Sequence, residues 1–308
     1  MKVHTILGAG GNIGTGLTSK LAESSLSVRL VSRHPKPITG KEALITADLL
    51  EAGEVNEAVK GSTITYLVAG ITYRAKVWEQ QWPIIMKNVI AACKTHGSRL
   101  VFFDNMYAYD PAEVGALHEA TPIRPKSRKG AVRAAIAQLI LDEIAQGQLT
   151  AMIVRAADFY GPGATSSMVH ETIINRMKKG KQPQWMYNKD KKHSFTFIPD
   201  AVEATAFLAV QEDAWNQIWH LPTAKAYPSA QTIATFLGSK LDQPDKIQVL
   251  PAWAIGLLAL FMPLMQEIKE LRYQLDEDYC FDSSKIESAY GLQPTSIEAG
   301  LEACLDRD

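Results

Sequence analysis

Gly8-Ala9-Gly10-Gly11-Asn12-Ile13-Gly14 lies directly behind Val3–Leu7, a short run that reads as a buried strand. It opens a stretch in which Ile13, Leu17 and Leu21 recur every four residues, the inner face of a helix that ends near Ser24–Ser25. Strand, glycine turn and helix in that order suit the pyrophosphate of a dinucleotide. Glycine is needed where the turn is tight, where the backbone approaches the phosphates and where the helix packs on the strand. The helix start then offers unpaired N–H groups and a partial positive charge. Gly8, Gly11 and Gly14 fit G-x-x-G-x-x-G, whereas G-x-G-x-x-G fails because Ile13 stands where its third glycine belongs. Gly8, Gly10, Gly11, Asn12, Ile13 and Gly14 are the first candidate cofactor contacts.

Outward from this loop, short apolar runs alternate with helical patterns, the rhythm of βαβ units. Ser27–Val31, Thr63–Val68, Leu100–Phe103 and Thr150–Arg155 read as strands. Helices are expected around Ile84–Lys94 and over Lys129–Ala145, where Val132, Ile136, Leu139, Ile140 and Ile144 share a side and Gly147 is the stop. After Arg155 prolines punctuate the chain and the rhythm changes. The expected architecture is a Rossmann-like, doubly wound parallel sheet with helices on both faces and a small, mostly helical C-terminal substrate region. Residues 1–160 would form the dinucleotide-binding domain, with 195–225 returning to it. Residues 161–194 and 226–308 would form the smaller region.

The 308 residues carry 32 Lys+Arg against 33 Asp+Glu, a net charge of −1, which argues against a nucleic-acid or anionic-membrane partner. Hydrophobic residues make up 46% and charged residues 21%, so the chain has material for a large core and is not disordered. Cys93, Cys280 and Cys304 form no C-x-x-C pair, which excludes a disulfide framework or a cysteine zinc site. No signal-peptide h-region precedes Gly8, so a reducing, cytoplasmic setting is expected. Val249–Met265 is uncharged but fenced by Pro251 and Pro263, too short for a spanning helix of about 20 residues. It reads as an amphipathic helix packed on the core or on a second subunit of a homodimer.

At the glycine loop the chain resembles the extended short-chain dehydrogenase/reductases, the NAD-dependent epimerase/dehydratase family. Asp48-Leu49 is similar to the family's adenine-contacting pair, and Val68-Ala69-Gly70 to the strand-end segment beside the adenosine. Arg155–Gly163 resembles R-x-x-x-x-Y-G-P-G, and Phe197-Ile198-Pro199-Asp200 resembles y-I-x-D. The resemblance implies a nicotinamide dinucleotide and a small organic or sugar-derived substrate. At the end of the second strand a carboxylate would bind the ribose hydroxyls and repel a 2′-phosphate. This chain has Ser32-Arg33, a hydroxyl and a planar guanidinium, which favours NADP(H) over NAD(H).

The family places a proton-donating Tyr and an activating Lys one turn apart on the helix that follows. Here Lys129 stands at the Tyr position and Arg133 at the Lys position, with Gly130 retained. Upstream, Asn105 occupies the Ser/Thr position, with Asp104 beside it. Three readings stay open. Lys129, its charged form disfavoured by Arg133, acts as the proton donor while Arg133 holds the nicotinamide ribose. Alternatively Tyr107, Tyr109 or Tyr160 is the acid. In the third, turnover is lost and the domain is an NADP(H)-binding sensor or module. The pair can also be read as a solvated basic face or an anion-binding spot. A structural partner that binds no nucleotide is the most distant class. Candidate catalytic residues are therefore Lys129, Arg133, Asn105 and Tyr109, with no metal expected. His4 reads as a core histidine, Lys189–His193 as a solvated turn, and Trp78, Trp82, Trp185 and Met186 as core or pocket lining.

Overall fold

A computed structural model describes residues 2–24, 26–164 and 167–306. Ser25, at the expected end of the first helix, lies outside them. The chain divides into two compact units. The first comprises Met1–Ala108, Arg128–Arg155 and Ala201–Trp219; the second comprises Tyr109–Ser127, Ala156–Asp200 and His220–Asp308. The second unit is thus nearly as large as the first, larger than the C-terminal region read from the sequence. The segment between the fifth strand and the fourth helix belongs to it, and backbone pairs such as Leu117 N–H to Cys280 O, 2.8 Å, tie it there.

The N-terminal half runs β1 (Val3–Leu7), α1 (Asn12–Glu23), β2 (Ser27–Ser32), β3 (Ala43–Thr46), α2 (Ala52–Val59), β4 (Ile64–Leu67), α3 (Ala75–His96), β5 (Arg99–Asn105), α4 (Arg128–Ala145) and β6 (Ala151–Ala156). Then come β7 (Asp158–Tyr160), α5 (Asn175–Lys178), β8 (Gln184–Met186), β9 (Phe195–Phe197), α6 (Ile198–Leu208), β10 (Ile218–His220), α7 (Ala230–Leu241) and β11 (Gln248–Leu250). The C-terminal helices are α8 (Ala252–Leu258), α9 (Pro263–Glu270), α10 (Tyr273–Asp276), α11 (Ser284–Tyr290) and α12 (Ile297–Leu305).

Seven strands form one sheet in the order β10-β6-β5-β4-β1-β2-β3. The pairs β1–β2, β1–β4, β2–β3 and β4–β5 are parallel. Strand order therefore reverses at β1, and the glycine loop leaves the sheet at that reversal, where open α/β sheets bind ligands. Ile6, Leu7, Leu30, Val31, Leu67, Leu100, Phe102 and Ile153 are fully buried, as expected of strands covered on both faces.

Two elements depart from the sequence reading. Edge strand β3 was not expected, because three of its four residues are exposed and it lacks the apolar continuity of a central strand. Helix α3 starts nine residues earlier than Ile84 and passes through Pro83. Interior proline costs about 3 kcal/mol. Trp78 and Trp82 before it and Ile85, Met86, Val89 and Cys93 after it are all buried, at roughly 1.5–3 kcal/mol per large apolar side chain. Packing outweighs the lost backbone bond.

In the second unit the expected amphipathic helix at Val249–Met265 is instead β11 followed by the hairpin of α8 and α9. Ile255 is buried, but Trp253, Leu257, Leu260, Phe261 and Leu264 are exposed. Among the described residues no helix is long and apolar enough to cross a membrane.

Candidate active site

Gly8 has φ of +91°, and a Cβ there would run into the backbone of Ala69. Only glycine lets the turn after β1 pack against the Val68-Ala69-Gly70 segment after β4. The Gly8 and Ala9 N–H groups both donate to the Val31 carbonyl, at 2.9 and 3.2 Å, tying the turn to the end of β2 beside Ser32-Arg33. The Ala47 N–H donates to the Ser32 carbonyl at 3.0 Å, which brings Asp48-Leu49 to the same edge. Strand ends that are far apart in sequence thus converge on one rim.

Gly10 and Gly11 face open space: a Cβ at either would meet no atom within 4 Å. Gly11 is the N-cap of α1, and no side chain caps that helix. The start of α1 therefore presents bare amide groups behind a floor without side chains, which fits a pyrophosphate. Gly14 packs the helix on the turn, its Cβ position 3.3 Å from Ala9 Cα. Of the remaining candidates, Ile13 and Leu49 are buried, Ser32, Asp48, Val68 and Ala69 half-buried, and Asn12, Arg33 and Gly70 exposed.

Lys129 and Arg133 are buried in the first turns of α4, with 0% and 6% exposure, so they do not form a solvated basic face. Arg133 is engaged inward. Its guanidinium lies 4.7 Å from the Trp78 ring centre and 4.3 Å from that of Trp82, cation–π contacts to two rings set edge to face. Its Nη1 is 3.5 Å from Asp104 Oδ1, and Arg155 Nε donates to Asp104 Oδ2 at 3.0 Å. Burial lowers the Arg133 pKa; Asp104 and Tyr107 act against that and Arg155 reinforces it. Burial thus weighs against the Arg133 charge, but a guanidinium stays protonated in a protein.

Lys129 Nζ sits 4.6 Å from the centre of the Tyr73 ring. The Tyr73 hydroxyl is hydrogen-bonded to that of Tyr107 at 3.1 Å, and the Tyr107 ring stacks on Trp78. Asn105, at the end of β5, accepts the Tyr107 N–H at 3.0 Å and so fixes the turn that carries it. Tyr73 was not singled out in the sequence; an aromatic in a loop behind an apolar run has no diagnostic spacing.

The other phenols have different surroundings, in the second unit. Tyr109 is buried, and its hydroxyl lies 2.6 Å from His220 Nε2. His220 Nδ1 is 2.7 Å from the Asp282 carbonyl, an acceptor only, so Nδ1 carries the hydrogen and Tyr109 donates to Nε2. The Tyr160 hydroxyl is buried against Gly300, and burial together with Asp200, Cys304 and Glu298 raises its pKa. His193, expected in a solvated turn, is buried and pairs with Asp158 at 2.9 Å. Asp200 of the Phe197–Asp200 segment accepts the Thr295 N–H and hydroxyl at 2.7 and 2.8 Å. Among the described residues no group of three His, Cys, Asp or Glu could hold a metal ion.

The chain is similar to solved structures over nearly its whole length. UDP-glucuronic acid 4-epimerase from Bacillus cereus, with UDP-glucuronic acid and NAD, superposes with a TM-score of 0.79 at 19% identity, covering 99% of this chain and 98% of that one. UDP-glucose 4-epimerase from Thermus thermophilus, with NAD, gives 0.77 at 18%, with the same coverage. A double mutant of dTDP-glucose 4,6-dehydratase from Streptomyces venezuelae, with NAD and DAU, gives 0.79 at 15%, covering 99% and 96%. At these identities the likeness shows the fold. No curated protein matches the sequence. Residues 4–221 match the profile of the NAD dependent epimerase/dehydratase family, so this chain is an enzyme of that family.

Proposed function

We propose that this enzyme moves hydride between a carbinol carbon of a small sugar-nucleotide-type substrate and NADP(H) seated on the Gly8–Gly14 loop. The observation that carries the reading is the open cradle at Gly10 and Gly11, above an uncapped helix start. Gly8, Ala69 and Gly14 hold that cradle in shape, and the amides of the first turn of α1 would hold the pyrophosphate. A nicotinamide held there would supply the hydride acceptor or donor. Asp48-Leu49 and Val68-Ala69-Gly70 would flank the adenosine.

The choice of NADP(H) rests on Arg33, which is exposed at the end of β2 where a carboxylate would be needed to favour NAD. The relatives named above are NAD complexes, so the nicotinamide dinucleotide is the coarser and the 2′-phosphate the finer part of the proposal. The sugar-nucleotide class comes from what those relatives bind. In unit one, Lys129 and Asn105 stay candidates for the reacting end. Arg133 is assigned to holding α3, α4 and β5 together through Trp78, Trp82 and Asp104, in place of the ribose contact. Tyr109 serves the second unit through His220. A homodimer using the exposed α8–α9 hairpin, and a cytoplasmic setting suited to the free thiols of Cys93, Cys280 and Cys304, complete the proposal.

The test is incubation of the purified protein with NADP⁺ or NAD⁺ and either UDP-glucose or dTDP-glucose as probes, followed by the reduced-nicotinamide absorbance and by chromatography of the sugar nucleotide. Cofactor reduction or a changed sugar supports the reading. Binding of cofactor with neither change, across these and simpler carbinols, contradicts the hydride part of it.

A further inference from the structure

A hydride leaving a carbinol carbon requires a proton to leave the carbinol oxygen, and a side chain must take it. In the first unit one pair of hydroxyls stands out. Tyr73 comes from the loop behind β4 and Tyr107 from the turn behind β5, so both lie at carboxyl ends of adjacent strands, β4 next to β1 and β5 next to β4, the end of such a sheet that binds ligands. Their hydroxyls are 3.1 Å apart, and both residues are half-buried, with part of their surface open.

Buried cations of α4 act on the pair. From α4, Lys129 lies over the Tyr73 ring and Arg133 acts electrostatically on Tyr107. From β6, Arg155 pairs with the Asp104 carboxylate of β5. All four charged side chains are buried, at 0%, 6%, 1% and 3% exposure. From α3, Trp78 stacks on Tyr107 and carries no charge. In a region of low dielectric the two cations of α4 favour a phenolate beside them. The second phenol donates its hydrogen to that phenolate and so holds it in place.

We infer that the hydrogen-bonded phenols of Tyr73 and Tyr107 form the proton-transfer group of this enzyme, with Lys129 as the positioning residue that favours their ionised form. The inference rests on the nicotinamide reading above. In the oxidation direction the carbinol O–H bond breaks and its proton goes to the phenolate oxygen. The electron pair of that bond becomes the second C–O bond, while the C–H pair leaves as hydride to the nicotinamide. Reduction runs the same exchange backwards.

Six of the ten tyrosines set a clean background for the test. Burial pushes Tyr66, Tyr160, Tyr187 and Tyr279 upward, and lifts Tyr227 and Tyr273 to about 12. Tyrosinate absorbance is followed against pH in the folded wild type, Tyr73→Phe, Tyr107→Phe, Lys129→Met and Lys129→Arg, with circular dichroism to verify the fold. The expected result is a one-phenol step in the wild type below the ordinary tyrosine value of about 10. That step disappears in each Phe variant, moves upward in Lys129→Met and returns with Lys129→Arg. If a Phe variant does not fold, the two Lys129 variants carry the same comparison. Absence of an early step in the wild type, or an early step unchanged in the folded variants, overturns the inference. A thermal shift with NADP⁺ and NAD⁺ on the same wild-type sample separates the two ideas. No shift contradicts the nicotinamide reading whatever the phenols do, whereas a shift without the early step contradicts the phenol pair alone.

Discussion

Lys129 and Arg133, one helical turn apart on α4, lie over different aromatic rings: the ammonium 4.6 Å from the centre of Tyr73, the guanidinium 4.3 Å from that of Trp82. The two cations therefore have separate tasks. Arg133 faces Asp104 and the tryptophans of α3, a stabilising position. Lys129 lies over the Tyr73 ring, whose hydroxyl is hydrogen-bonded to that of Tyr107.

That division predicts an asymmetry in stability. Asp104 is the carboxylate that both Arg133 and Arg155 face, so Asp104→Asn leaves two buried guanidiniums without it. Breaking a buried pair from one side costs about 3–5 kcal/mol. Arg133→Met keeps the Arg155–Asp104 pair and still fills the space against Trp78 and Trp82, so its cost is expected to be smaller, at about 1–3 kcal/mol. Urea denaturation of both variants checks the order; equal costs, or a milder Asp104→Asn, would count against it.

The glycines of the loop separate folding from binding. Gly8→Ala drives a Cβ into Ala69 at a left-handed φ, so the variant should lose stability or fail to fold. Gly11 has φ of −80° and open space before it, so Gly11→Ala should keep its stability to within about 1 kcal/mol. The added methyl occupies the cradle, and dinucleotide affinity should fall tenfold or more, about 1.4 kcal/mol. Calorimetric titration alongside thermal unfolding reads both quantities. A Gly11→Ala variant that binds as tightly as the wild type would remove the cradle from the account.

Arg33 should set the cofactor. Replacing it by Asp puts a carboxylate where a ribose diol would bind and a 2′-phosphate would be repelled. The ratio of NADP⁺ to NAD⁺ affinity is expected to fall by at least tenfold, chiefly through weaker NADP⁺ binding. An unchanged ratio would mean that Arg33 only faces water.

His4 gives a pH prediction in the core. Burial, with Lys2 adding to it, lowers its pKa from 6.5 to about 4, and its Nδ1 is paired with the Tyr66 hydroxyl at 2.9 Å. The folded value lies below the unfolded one, so the fold prefers the neutral ring. Its contribution is complete above about pH 6.5 and is lost as pH falls towards 4. At roughly 1.4 kcal/mol per unit, about 3 kcal/mol is at stake. Comparing urea midpoints between neutral and mildly acidic pH, His4→Gln should lose less stability on acidification than the wild type. Equal losses would rule this out.

The parallel sheet was legible because its signals are local and repeated. The Gly8–Gly14 loop behind an apolar run, and the four-residue recurrence of Ile13, Leu17 and Leu21, need no tertiary information. Edge strand β3 and the passage of α3 through Pro83 were not legible, since each depends on what the residues pack against. The convergence of strand ends beside the glycine loop could be read because each end supplies its own short segment. The surroundings of Lys129 could not. Spacing places it one turn from Arg133 and suggests coupled charges, but Tyr73 and Trp82 arrive from separate elements and take the two side chains in different directions. The size of the second unit was hidden for the same reason: 109–127 reads as a loop of the first half, and only its pairing to the Cys280 region reveals where it belongs.

Thermal unfolding of the purified protein with NADPH, NADP⁺, NADH and NAD⁺ in parallel tests the central claim most directly. A ligand at 100 times its Kd should add about 2.7 kcal/mol, a readily measured rise in Tm. The expected result is a rise with the phosphorylated pair that exceeds any rise with the other two. No rise with any of the four would contradict a dinucleotide site at Gly8–Gly14.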